Sequence, residues 1–131
     1  MTWNLTEKEV RAVLLLPAAA RYGHCIKRIA DEELVWSLRG PDGWILACDH
    51  TGVIGVPIWP HELYARACAT GEWAACVAHS IPTDEWLDRW TSGIKRDARM
   101  VIVFPTPSQK GLLVEPDRFA DDLRDAMAEY E

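Results

Sequence analysis

An α+β fold with a mostly antiparallel sheet flanked by helices is what this sequence predicts, and three observations predict it. Apolar residues recur at helical spacing over residues 6–31 and 116–130. They alternate, or run as short β-branched segments, over 34–59 and 100–104. Glycine and proline punctuate these segments, with no linker, repeat or low-complexity stretch between them, so residues 1–131 read as a single domain.

Thr6 and Glu9 have capping-box spacing, and Val10, Val13, Leu14 and Leu16 follow on one helical side. Pro17 interrupts that helix and can serve as the first residue of a second. There Ala19, Tyr22, Ile26, Ile29 and Ala30 share a face, while Arg21, His24, Lys27, Arg28 and Asp31 fall mostly on the solvated side. Leu34, Trp36 and Leu38 then alternate with Val35 and Ser37 as a strand. Residues 39–43 make a turn, 44–48 return, Asp49 to Gly52 turn again, and 53–59 complete an antiparallel three-stranded meander. Pro57 has no N–H to give a ladder, which sets its end of the third strand at an edge or a bulge.

Pro60 is expected to begin a helix burying Leu63, Ala67 and Cys68, with Gly71 as its C-terminal cap. A strand is expected over 73–79, weakened by its alanines. Thr83 is expected to cap a helix carrying Trp86, Leu87 and Trp90 and ended by Gly93. Residues 100–104 (Met-Val-Ile-Val-Phe) read as a central strand covered on both faces. A proline-stiffened loop over 105–111 leads to a short strand at 112–114. Pro116 opens a last helix with Phe119, Leu123, Ala126, Met127 and Tyr130 as its apolar stripe.

The 49% apolar and 26% charged composition is that of a folded globular domain. No apolar run approaches the roughly 20 residues of a membrane span, and no basic-then-apolar leader opens the chain, so the expected location is the cytoplasm. A net charge of −6, with every Lys/Arg group interleaved with acids, argues against nucleic-acid binding. Cys25, Cys48, Cys68 and Cys76 have no C-x-x-C spacing and read as reduced, mostly buried thiols.

Motifs that carry chemistry are missing. His24 and Cys25 are helical neighbours, whose side chains point about 100° apart. His24, His50, His61 and His79 show no metal-ligand spacing, and the acidic pairs lie at helix ends, where the helix dipole accounts for them. The glycines form no phosphate-binding loop and no serine sits in a nucleophile elbow. No catalytic residue, no metal ligand and no cofactor is therefore assigned. The oddity is seven tryptophans, most of which should be core, with any at an exposed sheet edge marking a partner site.

Val35-Trp36-Ser37-Leu38, Gly43-Trp44, Val56-Pro57-Ile58-Trp59-Pro60, Gly71-Glu72-Trp73, the 82–90 helix and Phe104-Pro105-Thr106-Pro107 come in an order that resembles an uncharacterised bacterial family, domain of unknown function 2750. The resemblance runs from about Arg21 to the C-terminus. The order of elements is also distantly similar to the N-terminal domain of SseB-like proteins. That second likeness implies a small cytoplasmic α+β module with no established catalytic residues. By analogy, small bacterial domains of this kind include immunity proteins that accompany toxins.

The expectation is a non-enzymatic protein-binding module, most concretely an immunity-type inhibitor of a toxin or other protein. Its candidate contact residues are Trp44, Trp59, Pro60, His61, Glu62, Pro105 and Lys110, on a corner at 56–62 expected to lie beside the 105–111 loop. The alternative is a small-molecule-binding or hydrolytic enzyme with a pocket at the same corner, using His61, Cys68 or Lys110.

Overall fold

A computed structural model describes residues 5–48 and 51–129. Asp49 and His50 of the expected turn, and Tyr130 of the expected stripe, lie outside the described residues. Helix α1 (Glu7–Leu14) starts at Thr6, whose Oγ1 accepts the Glu9 N–H at 3.1 Å, as the capping spacing predicts. Helix α2 (Ala18–Glu32) follows Pro17 and buries Cys25, Ile26, Ile29 and Ala30.

Two sheets share one core. The first has order β2 (Gly43–Trp44), β1 (Leu34–Gly40), β5 (Val77–Pro82), all antiparallel. The second has order β3 (Ala47–Cys48), β4 (Ile54–Ile58), β6 (Met100–Val103), β7 (Leu112–Val114), with β4 and β6 the one parallel pair. A β-bridge between Trp36 and Trp59 joins them, with both backbone bonds made at 2.9 and 2.8 Å.

The expected meander is corrected here. The return strand breaks between Trp44 and Ala47, so its first half pairs with β1 and its second half with β4. Pro57 lies where this break has its effect. β3 pairs only as far as Gly55, and the Phe104 N–H bonds the Ile58 carbonyl on the β6 side. By alternation along the strand, the Pro57 nitrogen faces the gap beyond β3. Its carbonyl is met there by the Ser37 hydroxyl at 2.7 Å.

Helix α3 is Glu62–Ala67, with His61 and not Pro60 at the N-cap: His61 Nδ1 accepts the Leu63 N–H at 3.1 Å. Its C-cap is Cys68, in right-handed geometry. Gly71, expected to cap it, instead uses its φ of +59° to open a 3₁₀ turn, Gly71–Trp73. Trp73 is therefore not in a strand, and the sheet is rejoined only at Val77, where pairing with Arg39 begins. Helix α4 (Thr83–Glu85), a π-helical turn (Trp86–Trp90) and α5 (Thr91–Arg96) run on without a break. Gly93 lies inside this run rather than ending it, and Thr83 is buried within the first turn with Pro82 at the cap position. Helix α6 is Pro116–Ala128, opened by its proline as expected.

Val101, Val103 and Phe104 are fully or almost fully buried and β6 lies between β4 and β7, so the strand is central as the sequence predicts, but it ends at Val103 and is not covered on both faces. The pairing register sets Val56, Ile58, Val101, Val103 and Val114 on one face of the second sheet, against α2, α5 and α6. Of the described tryptophans, Trp59 and Trp86 are buried, and Trp36, Trp44, Trp73 and Trp90 pack half-buried around the core.

Candidate functional site

The other face of the second sheet carries Ala47, Gly55, Pro57, Ile102 and Leu113, by the same register. Two glycines shape it. A Cβ on Gly55 would lie 2.6 Å from Ile102 Cγ1, and one on Gly111 would lie 3.0 Å from Ile102 Cγ2. Their bare backbones let Ile102 sink into the face, where it is 7% exposed. An open cleft of about 760 Å³ lies over this floor, lined by Ala47, Ile102 and Leu113. Thr70, Glu72 and Trp73 of the turn after α3 line it too, as do Pro105, Pro107, Ser108 and Lys110 of the 105–111 loop.

That loop is held by its own turn and by the core behind it. The Thr106 and Gln109 backbones exchange bonds at 2.8 and 3.3 Å, and Thr106 Oγ1 accepts the Gln109 N–H at 2.9 Å. Trp59 Nε1 donates to the Pro105 carbonyl at 2.8 Å, and the Cys68 thiol donates to the same oxygen at 3.3 Å. The 56–62 corner and the loop are therefore neighbours, as the sequence led us to expect.

Arg21 overturns the expectation placed on it. Instead of facing water it is fully buried, with Nε donating to the Phe104 carbonyl at 3.2 Å. Its Nη1 donates to the Leu16 carbonyl at 2.6 Å and to Gln109 Oε1 at 2.7 Å, and Nη2 to the Lys110 carbonyl at 3.4 Å. All these acceptors are neutral. Desolvation lowers the Arg21 pKa, yet a guanidinium keeps its proton in a protein. The result is a buried positive charge behind the cleft-lining loop. Phe104, whose carbonyl it holds, has a φ of +57°, a strained geometry for an aromatic residue. Its N–H bond to Ile58, the Arg21 bond and ring contact with Tyr64 at 4.7 Å over-determine that geometry.

The sequence-derived candidates divide. Pro105 and Lys110 line the cleft. Trp59 and Pro60 are buried, so Trp59 is corrected from contact residue to internal support. His61 is half-buried and occupied by its cap, and Glu62 is paired with Arg66 at 2.9 Å. Trp44 lies away from the cleft, edge-on to His79 at 5.8 Å and to Trp90 at 4.9 Å, beside a smaller pocket of about 340 Å³. Sequence reasoning missed Ile102, Thr70, Glu72 and Trp73. The Gly71-Glu72-Trp73 motif was the signal for the last two, but a local pattern does not say that the turn faces a sheet 30 residues further on (~30 by sequence spacing).

Chemically the cleft offers apolar contact, an exposed Lys110 and Glu72, and hydroxyls. Burial raises the Cys68 thiol to about 11, and Cys25 is pushed up further by complete burial, so both are neutral thiols at neutral pH. No cysteine is in a disulfide; Cys25 and Cys68 are buried, Cys76 is half-buried and Cys48 is exposed. Among the described residues, no three His, Cys, Asp or Glu side chains converge on a metal position. None of the described helices is long and apolar enough to cross a membrane.

Together these elements define an α+β domain of two bridged sheets with an open cleft over the uncovered face of one. The chain belongs to the family of proteins of unknown function DUF2750, whose model matches residues 22–123. Helix α1, and Arg21 by one position, lie outside that match. No curated protein and no solved structure matches the chain.

Proposed function

We propose that this protein is a non-enzymatic binding module of the cytoplasm that takes an exposed segment of a partner protein into the cleft between the 70–73 turn and the 105–111 loop. The observation that carries this reading is the construction of the cleft. Its floor is an apolar sheet face, its rim carries Trp73, Glu72 and Lys110, and its loop is fixed from behind by Arg21 and Trp59. A rigid apolar floor with a polar rim is the usual composition of a protein-recognition surface. In its most concrete form the module is an immunity-type inhibitor that occludes a toxin.

Affinity capture from the source cell's lysate, wild type against Leu113→Asp and Lys110→Glu, tests the idea. A protein retained by wild type and lost by both variants is expected. Identical captures from all three would overturn the assignment of the cleft. A small molecule in the same cleft is the second reading, favoured by a volume within the range of ligand pockets. A metabolite that raises the melting temperature of wild type but not of Leu113→Asp, with no protein captured, would favour it instead.

A further inference from the structure

We infer that the outer edge of β5 is a self-association surface, on which a second copy of this chain adds its own β5 antiparallel about a two-fold axis at His79. Among the described residues β5 pairs on one side only, with β1. The direction of its other backbone groups follows from β1. Trp36 exchanges both its backbone bonds with Trp59, and the Leu38 carbonyl takes the Ile45 N–H, so these even-numbered residues face away from β5. Val35, Ser37 and Arg39 therefore bond Ile81, His79 and Val77. The N–H and C=O groups of Ala78 and Ser80, with the Pro82 carbonyl, are left pointing outward. Among the described residues none of these groups has a hydrogen-bond partner.

Edge strands are ordinarily guarded by lysine, by proline in mid-strand or by a bulge. Here residues 73–83 contain no Asp, Glu, Lys or Arg, and the only proline, Pro82, ends the strand. The outward groups are symmetric about His79. An antiparallel copy pairs Ala78 with Ser80 of the second copy and Ser80 with its Ala78, giving four N–H···O bonds related by the two-fold. The same register sets Val77, 60% exposed, opposite the second copy's Ile81. Two chains that each carry a net charge of −6 repel, so contact is favoured where acids are missing from the surface. No residue of β5 lines the cleft, so this surface stands apart from the partner site proposed above.

An edge of this length alone is at the low end of stable interfaces, so dimers are expected at concentrations on the order of tens of micromolar. Sedimentation across ~1–200 µM should show the 14.8 kDa monomer giving way to a species of twice that mass. Ser80→Pro removes an outward N–H while leaving the ladder to β1 intact, and Val77→Lys adds a charge at the exposed edge. Each should weaken the dimer tenfold or more with an unchanged circular dichroism spectrum. In wild type, the Ala78 and Ser80 amides should exchange hydrogen more slowly at high protein concentration than at low. A monomer throughout the range, a dimer indifferent to Val77→Lys, or edge amides whose exchange ignores concentration would each overturn the inference. So would an edge that binds an extended peptide of another protein while the chain itself stays monomeric.

Discussion

The guanidinium of Arg21, in the first turns of α2, donates to the carbonyl of Phe104, 83 residues away, at 3.2 Å. Through that bond and those to Gln109 and Lys110, one side chain ties the N-terminal helical layer to the loop that lines the cleft. Arg21→Lys should therefore be costly despite keeping the charge, because one ammonium cannot reach acceptors arranged for a planar fork. A loss of about 3 kcal/mol in urea unfolding is expected. Amides 106–110 should also exchange faster. A loss below ~1 kcal/mol would mean that water substitutes for the lost bonds and that the clamp is not structural.

Gly111 and Gly23 should respond to alanine with opposite signs. At Gly111 an added Cβ would lie 2.6 Å from the Val103 carbonyl oxygen and 2.9 Å from the Pro105 nitrogen, both backbone atoms that cannot swing aside. Gly111→Ala should destabilise by about 2 kcal/mol or more. It should also disturb Ile102, the floor residue. Gly23 is inside α2 with nothing within 4 Å of an added Cβ. Gly23→Ala should stabilise by about 0.5–1 kcal/mol, since alanine restricts the unfolded chain and suits a helix. Thermal melts of the two variants decide the matter, and equal shifts would contradict the packing described at Gly111.

Arg21 and the Trp36–Trp59 bridge mark how far the sequence could be read. Helical and strand periods located α1, α2, α6, β1 and β6, because each is fixed by neighbours within a few positions. Arg21 was assigned to water by the same periodicity, which puts it among Lys27, Arg28 and Asp31. Its burial depends on a loop contributed 80 or more residues later (~80–90). The split of the return strand was hidden for a similar reason, since nothing near Ile45 announces that Trp36 will bridge to Trp59. The site was half legible. The 56–62 corner and the 105–111 loop do meet, but through a buried Trp59 rather than an exposed one. The Trp73 wall was obscured by an alanine-rich segment that is compatible with strand and turn alike.

Thiol reactivity should separate the cysteines by environment. Cys48 is exposed, whereas Cys25 and Cys68 are buried, with burial raising the Cys68 thiol to about 11. At pH 8, iodoacetamide should label Cys48 in the native protein and leave Cys25 and Cys68 intact until urea is added. Peptide mass spectrometry reads this directly. Native labelling of Cys68 as fast as Cys48 would reveal a thiolate in the cleft and revive a nucleophilic reading of the site.

Stability should fall on mild acidification because of His24. Burial, with Arg28 next in weight and Lys27 adding to it, lowers its pKa, while Glu9 acts the other way. The ring also lies against Phe104, with centroids 6.5 Å apart. A lowered folded pKa means that the unfolded chain binds the proton first, so stability rises with pH through this window. The His24 contribution is complete above the unfolded value of about 6.5 and is lost as pH falls from there through the folded value. Carboxylates lose their charge mainly at lower pH, so the onset near pH 6 to 6.5 is the histidine's signature. His24→Phe keeps an aromatic ring against Phe104 and removes the titration, and it should flatten the melting temperature between about pH 7 and 5.5. If the variant and the wild type lose stability in parallel over that range, the effect does not come from the half-buried His24.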